Sequence, residues 1–167
     1  QKHGLSLEKN LFYETKNDMG LQKRYHRAAD DFDHARKIAG HVLKFLLNGA
    51  RQATGSPPGR TVVTVPASFQ INQRADTLAA AKLGGLVLSD FDLLDEPVAA
   101  LTDYLFTYAG AEVWDKPQNV VVFDFGGGTC DVFAARLSPA ATGAAFAIET
   151  RSVSRYHRLG GGDFDAA

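Results

Sequence analysis

Residues 124–131 carry the strongest chemical signal in the sequence. They read Asp-Phe-Gly-Gly-Gly-Thr-Cys-Asp and lie between two apolar runs that are typical of β-strands. A hairpin turn needs one or two glycines, whereas three in succession allow a phosphate chain to approach bare backbone N–H groups. Asp124, at the end of the incoming strand, would then face the cation that accompanies the phosphates. The alternative for this segment alone is a tight hairpin with polar turn residues.

Two further segments are candidates for the same kind of site. Residues 159–165 form a second glycine turn that opens into acidic residues suited to a helix start, although a plain loop is the favoured interpretation of this segment alone. Glu96 lies where a strand is predicted to end and a helix to begin, which is where open α/β sheets bind ligands. The alternative is a carboxylate that only complements the helix dipole. The sequence has neither a Walker GxxxxGK[ST] loop nor a GxGxxG loop opening a helix, so a strand–turn–strand cradle fits best.

Hydrophobic periodicity places these segments in an alternation of helices and strands, which predicts the α/β class. We predict helices at 31–54, 67–83 and 96–108, and strands at 61–65, 86–94, 120–124, 129–137 and 144–153. The strand at 86–94 is predicted to be interrupted by Ser89 and Asp90. The last three strands read as a β-meander, with a new helix expected to begin at the end of the chain. Residues 110–118, with Pro117, have the character of a connector. We therefore predict a boundary there, with residues 1–115 in one lobe and 116–167 opening a second.

Composition excludes several classes of protein. The 167 residues include 18 Lys and Arg against 19 Asp and Glu, a formal charge of -1, which disfavours nucleic acid or an acidic membrane as a partner. The single cysteine, Cys130, cannot form an internal disulfide, and no apolar run is long enough to span a bilayer. We therefore expect a cytoplasmic protein. The chain starts without Met or a signal peptide, so we expect it to be a segment of a longer one.

Four segments in order resemble the nucleotide-binding domain of the 70-kDa heat-shock (DnaK-type) chaperone family, within the actin-like ATPase superfamily. They are VTVPASFQINQR, LLDEPVAA, VVVFDFGGGTCDV and LGGGDFD. The similarity extends from about Leu11 to Asp165. It implies an RNase H-like, actin-like fold of two lobes with ATP or ADP and Mg²⁺ in the cleft between them, of which this chain holds an incomplete domain of a divergent, bacterial-type member.

The resemblance also implies roles for individual residues. Asp124 falls near Mg²⁺ and its waters, and Glu96 on the carboxylate that helps to place the attacking water. Lys16 falls on the lysine that contacts the γ-phosphate. The second phosphate loop would consist of Gly126, Gly127, Gly128 and Thr129, and the glycine pair beside the nucleotide of Gly160 and Gly161. Pro66 and Arg74 fall on the residues that relay nucleotide state to the substrate domain of the family.

The sequence also departs from the family pattern. Ser89 and Asp90 lie in a small insertion, Cys130 replaces a phenylalanine and Gly162 replaces an acidic residue. The first phosphate loop of the family is expected before residue 1 and its adenosine-binding segment after residue 167.

The resemblance implies a chaperone-type ATPase that couples nucleotide state to a partner. Co-chaperones, exchange factors or client polypeptides would bind through regions outside this chain. One alternative is a non-hydrolysing nucleotide sensor or scaffold. A sugar or acetate kinase of the same superfamily is disfavoured because no pocket for a phosphate acceptor can be located in the sequence.

Overall fold

The structure, a computed structural model, describes residues 4–108, 116–139, 146–155 and 159–165. Helices and sheets occur together, as the α/β class requires. The chain divides into two compact units, one of residues 1–63 and 70–93, the other of residues 64–69 and 94–167. The predicted lobe boundary near residue 115 falls outside the described residues and stays a prediction. No helix in the described ranges has both the length and the apolar character needed to cross a membrane.

Two packed helices form the centre of the first unit. Helix α1 spans Ala35–Thr54 and ends where Gly55 adopts the left-handed conformation at φ 71°. Helix α2 spans Ile71–Leu83. The helices approach closely at Gly40, where a Cβ atom would lie 2.9 Å from the Cβ of Leu83. Glycine at this position therefore sets the separation between the helices.

Both helices begin later than predicted, because local turns occupy the preceding residues. A short 3-10 turn at Asp30–Phe32 precedes α1. Before α2, the side chain of Gln73 accepts a hydrogen bond from the backbone N–H of Gln70 at 2.9 Å in a capping box. This cap fixes the start of α2 at Ile71 rather than at residue 67.

The prediction of a strand at residues 86–94 is wrong except at its end, where a short strand begins at Leu93. The segment instead contains a 3-10 turn at Asp90–Asp92, followed by the short strand β2 at Leu93–Asp95. The cause is the side chain of Asp92, which accepts hydrogen bonds from the backbone N–H and the hydroxyl of Ser89. This local cap competes with the extended conformation. Strand β1, at Val63–Val65, pairs with β2 in a two-stranded sheet.

The second unit contains helix α3 at Glu96–Tyr108, with the predicted bounds, and the predicted antiparallel meander. The strands of the meander are β3 at Gln118–Phe125, β4 at Cys130–Pro139 and β5 at Phe146–Val153, and a short helix, α4, spans Gly161–Asp165. The core joins α3 to β4 and consists of Leu101, Leu105, Phe133, Ala135 and Leu137. Because side chains alternate along a strand, the opposite face carries the exposed Val121 and Phe123.

A charged cluster ties the segment before α1 to the helix itself. The nearly buried carboxylate of Asp33 lies 2.8 Å from Nζ of Lys37, 2.7 Å from Nδ1 of His34 and 3.1 Å from Nε of Arg24. Hydrogen bonds from Lys37 and then from His34 hold the pKa of this carboxyl well below its usual range. Asp33 therefore acts as the ionic anchor of this part of the first unit.

We predict that Asp33→Asn lowers the stability of the chain at neutral pH. The pKa of Asp33 is lower in the folded state than the roughly 3.9 of an unfolded chain, so its contribution is present above about pH 4 and declines as the pH falls further. The urea midpoint of the variant should lie below that of the wild type at pH 7, and the two should converge below pH 4. Asp31→Asn, at an exposed neighbouring carboxylate, is the control. A difference that is independent of pH would contradict this account.

Candidate functional site

The glycine turn between β3 and β4 has a closed base and an open outer side. The backbone N–H of Gly126 donates to the carbonyl of Thr129 at 2.9 Å, which closes the turn. Thr129 is buried, whereas Gly127 is exposed, and a Cβ atom on Gly127 would meet nothing within 4 Å. A ligand can therefore approach the backbone of this turn at Gly127.

The second glycine run packs directly on the first. The N–H of Gly161 donates to the carbonyl of Gly126 at 3.0 Å, and the N–H of Gly162 donates to that of Gly127 at 2.8 Å. A Cβ atom on Gly160 would lie 2.4 Å from the carbonyl carbon of Gly127, a distance that real Cβ atoms do not adopt. Position 160 therefore requires glycine because backbone meets backbone there. The structure brings together the two glycine segments that the sequence singled out.

Two interactions hold helix α4 beside the first glycine turn, one at its start and one at its aromatic side chain. Its first turn is closed by the N–H of Gly160, which donates to Oδ2 of Asp163 at 2.8 Å. Its outer side is held by the ring of Phe164, which packs edge-on against Phe125 with centroids 6.0 Å apart. The expected helix start within residues 159–165 is confirmed. Whether this segment is a ligand site rather than a plain connection stays a prediction.

Two carboxylates flank the turn on one face of the sheet. Asp124 is directly opposite Asp131 in the register of β3 and β4, and opposed residues of an antiparallel pair share a face. Asp131 is 2% exposed, and its Oδ1 atom has no hydrogen-bond partner in the part of the chain that the structure describes. A buried carboxylate oxygen without a partner is costly, so it indicates a place for a cation or a hydrogen-bond donor.

Asp131 is a candidate site residue that was not predicted from the sequence. The signal was present, because Asp131 lies near the start of the outgoing strand, at the position that a tight turn places opposite Asp124. Its burial could not be read from the sequence, since burial depends on tertiary packing around that end of the strand. The structure therefore adds one carboxylate to the candidate site.

The predicted residues outside the turn lie on identifiable elements. Glu96 is the first residue of α3 and directly follows β2, as predicted, and it is half-buried. Its orientation toward the glycine turn stays a prediction. Pro66 directly follows β1 and is fully buried.

Lys16 and Arg74 belong to the first unit, where one glycine fastens their elements together. Lys16 lies in a 3-10 turn at Thr15–Asp18, and Arg74 lies in the first turns of α2. Between them, the N–H of Gly20 donates to Oδ2 of Asp76 at 2.9 Å, and Nδ2 of Asn72 donates to the carbonyl of Gly20 at 2.8 Å. The turn that carries Lys16 is thus anchored to the helix that carries Arg74. The functional roles of both residues stay predictions.

The described residues fit Mg²⁺ bound together with a phosphate ligand. They contain no group of three or more His, Cys, Asp or Glu side chains that could hold a metal ion by themselves. Mg²⁺ keeps several waters and takes only one or two protein carboxylates beside phosphate oxygens. The pair formed by Asp124 and Asp131, next to an open glycine turn, suits that coordination.

Comparison with known proteins gives one family. The model of the family described as Hsp70 protein matches residues 5–167. The chain is also similar to a chaperone protein DnaK from Cenarchaeum symbiosum (strain A), with 30% identity over 167 residues, which is 100% of this chain and 23% of that relative. The chain thus spans less than a quarter of the length of this curated relative.

We predict that Gly160→Ala destabilises the chain by about 1–3 kcal/mol, because its methyl group would overlap the backbone of Gly127. Urea unfolding measures this loss. Gly161→Ala is the matched control, because a Cβ atom at that position would make an ordinary contact of 3.9 Å with Gly127. Equal stability of the two variants would show that the close contact does not constrain position 160.

Proposed function

The chain belongs to the Hsp70 protein family, and on that premise we propose that it is part of an actin-like domain that binds and hydrolyses ATP with Mg²⁺. The family relationship supports a chaperone-type nucleotide-binding domain. Hydrolysis, and coupling of the nucleotide state to a partner, are the further steps of the proposal. The RNase H-like architecture, with residues 1–115 in lobe one and 116–167 in lobe two, and a cytoplasmic location are part of the same proposal.

The observation that carries the proposal is the contact between the two glycine segments beside the paired carboxylates. The interlock of Gly160 with Gly127 fixes the shape of the turn before any ligand arrives. A preorganised backbone loses little entropy when it binds phosphate, which favours binding. The unpartnered oxygen of Asp131 supplies the negative charge that a phosphate-bound cation would neutralise.

In the proposed mechanism the protein acts by positioning and by electrostatics. Backbone N–H groups of Gly127 and Gly128 and the hydroxyl of Thr129 bind phosphate oxygens, while Gly126 keeps the turn closed through its hydrogen bond to Thr129. Asp124 and Asp131 would hold the cation. When bound, Mg²⁺ offsets negative charge on the phosphates. Glu96 accepts a hydrogen bond from the attacking water and orients it. No covalent intermediate on the protein is needed.

The remaining predicted residues complete the proposal. Lys16 places its positive charge at the γ-phosphate and stabilises charge that develops there. Pro66 and Arg74 relay the nucleotide state toward a substrate-binding or partner domain outside this chain. Gly161 lies beside the nucleotide together with Gly160. Co-chaperones, exchange factors or client polypeptides are the partners proposed for the longer protein.

We predict that Glu96→Gln, in the protein that contains this chain, lowers single-turnover ATP hydrolysis on the order of a hundredfold. The substitution keeps the shape of the side chain and removes the charge that orients water. ATP affinity should change by less than threefold. Asp103→Asn, at an exposed carboxylate on the same helix, is the control and should hydrolyse ATP at the wild-type rate. Unchanged hydrolysis in Glu96→Gln would exclude the proposed role, and ATP binding without hydrolysis in the wild type would support the non-hydrolysing alternative.

We predict opposite effects of Asp131→Asn on stability and on ligand binding. Without nucleotide, the variant should unfold at a higher urea concentration, because an uncompensated buried charge has been removed. With ATP, the Mg²⁺ concentration at half-saturation should rise about tenfold. A lower urea midpoint without nucleotide would show that the charge of Asp131 serves the fold rather than a cation.

A further inference from the structure

A pocket of about 250 Å³ in the first unit lies apart from every residue assigned above. Its walls are the last turns of α1, the segment with Pro57 and Pro58, and the loop at 85–88. Leu47 contributes an apolar floor, and the two prolines contribute a wall whose φ angles are fixed. A peptide that docks against such a wall orders few protein torsions on binding.

The charges of the pocket favour an anionic ligand. Arg51 and Arg60 both line it, and Asp92 is the only carboxylate among the lining residues. Arg60 is paired with Asp92, since its Nε and Nη2 atoms both lie 3.3 Å from Oδ1. The guanidinium of Arg51 makes no ion pair or hydrogen bond with any residue that the structure describes. The guanidinium of Arg51 is therefore available to form an ion pair with the carboxylate of a ligand.

The adjoining loop holds two large apolar side chains in solvent. Val87, in the pocket wall, is 99% exposed, and Phe91, four residues further on, is 92% exposed. The loop is nevertheless ordered, because Oδ2 of Asp92 accepts hydrogen bonds from the backbone N–H of Ser89 at 3.0 Å and from its hydroxyl at 2.7 Å. The same carboxylate orients Arg60 through Oδ1. Val87 and Phe91 thus present apolar surface beside a positive pocket.

We propose that this pocket docks an extended segment of a second polypeptide in which carboxylates alternate with large apolar side chains. One carboxylate pairs with Arg51, and apolar side chains of the segment cover Val87 and Phe91. An extended segment suits the site, because alternate side chains point to opposite sides and can reach the charge and the apolar loop in turn. Charge complementarity sets the preference for an acidic segment, and the exposed loop sets the preference for an apolar one.

Three fluorescein-labelled hexapeptides test the proposal on the full chain by fluorescence polarisation. Their repeats are Asp-Leu, Lys-Leu and Asp-Ser. The Asp-Leu peptide should bind at least tenfold more tightly than the other two, because it alone carries both carboxylates and large apolar side chains. Arg51→Gln should weaken its binding about fivefold, as expected for the loss of one exposed charge pair. Phe91→Ala should lower the affinity for the Asp-Leu peptide and leave the affinity for the Asp-Ser peptide unchanged.

Lys44→Gln is the matched control, because it removes one positive charge from an exposed position on the same helix outside the pocket. Circular dichroism of each variant checks that its helices are intact. The proposal is overturned if the Asp-Leu peptide binds no better than the other two peptides, or if Arg51→Gln and Lys44→Gln weaken it equally. It is also overturned if the chain dimerises in sedimentation and Arg51→Gln abolishes the dimer, because a second copy would then occupy the pocket.

Discussion

The contact of Gly160 with the backbone of Gly127 is the constraint on which the candidate site depends. Without a side chain at position 160, the two segments approach until Gly161 and Gly162 donate hydrogen bonds to carbonyls of the first turn, and the open side of that turn acquires one shape. The same contact sets the start of α4, which in turn places Phe164 against Phe125. A pair of glycine turns that would each be mobile alone thus becomes one rigid element. A methyl group at position 160 would disturb the turn, the helix and the aromatic pair together.

The meander places apolar packing and charge on a single face. Along β4, Phe133, Ala135 and Leu137 pack against α3, and Asp131 continues the same alternation at the end beside the turn. The core therefore extends up to the carboxylate and lowers its access to water. Burial of this kind lowers the effective dielectric constant around a charge, so its attraction to a bound cation is stronger than it would be in solvent. On the proposed function, the stability of the sheet and the affinity for a cation would oppose each other at Asp131, because the unpartnered oxygen costs the fold free energy and attracts the cation.

The sequence was sufficient where local pattern and tertiary environment agree. Helix α3 has its predicted bounds, because the strand before it ends at Asp95 and Pro97, the second residue of the helix, suits a first helical turn. The meander was predictable from its three apolar runs. The segment at 86–94 was not, because its apolar residues suggested a strand while the side chain of Asp92 capped a turn. The need for glycine at position 160 was also hidden, since it arises from a contact distant in sequence rather than from a positive φ angle. The family resemblance supplied the roles of Lys16, Pro66 and Arg74, which no local pattern would have suggested.

The turn between β3 and β4 and the contact that shapes it differ in the order in which they can form. The hairpin closes over a few residues, so its entropic cost is small and it is expected to form early in folding. The contact with Gly160 needs β5 and the following segment to be in place first, and it closes a much longer loop. During folding, the glycine turn therefore exists for a time as an ordinary hairpin loop without its final geometry. The geometry of the proposed phosphate site is therefore completed only after the hairpin itself, and a chain that stalls before the contact with Gly160 has a formed hairpin without that geometry.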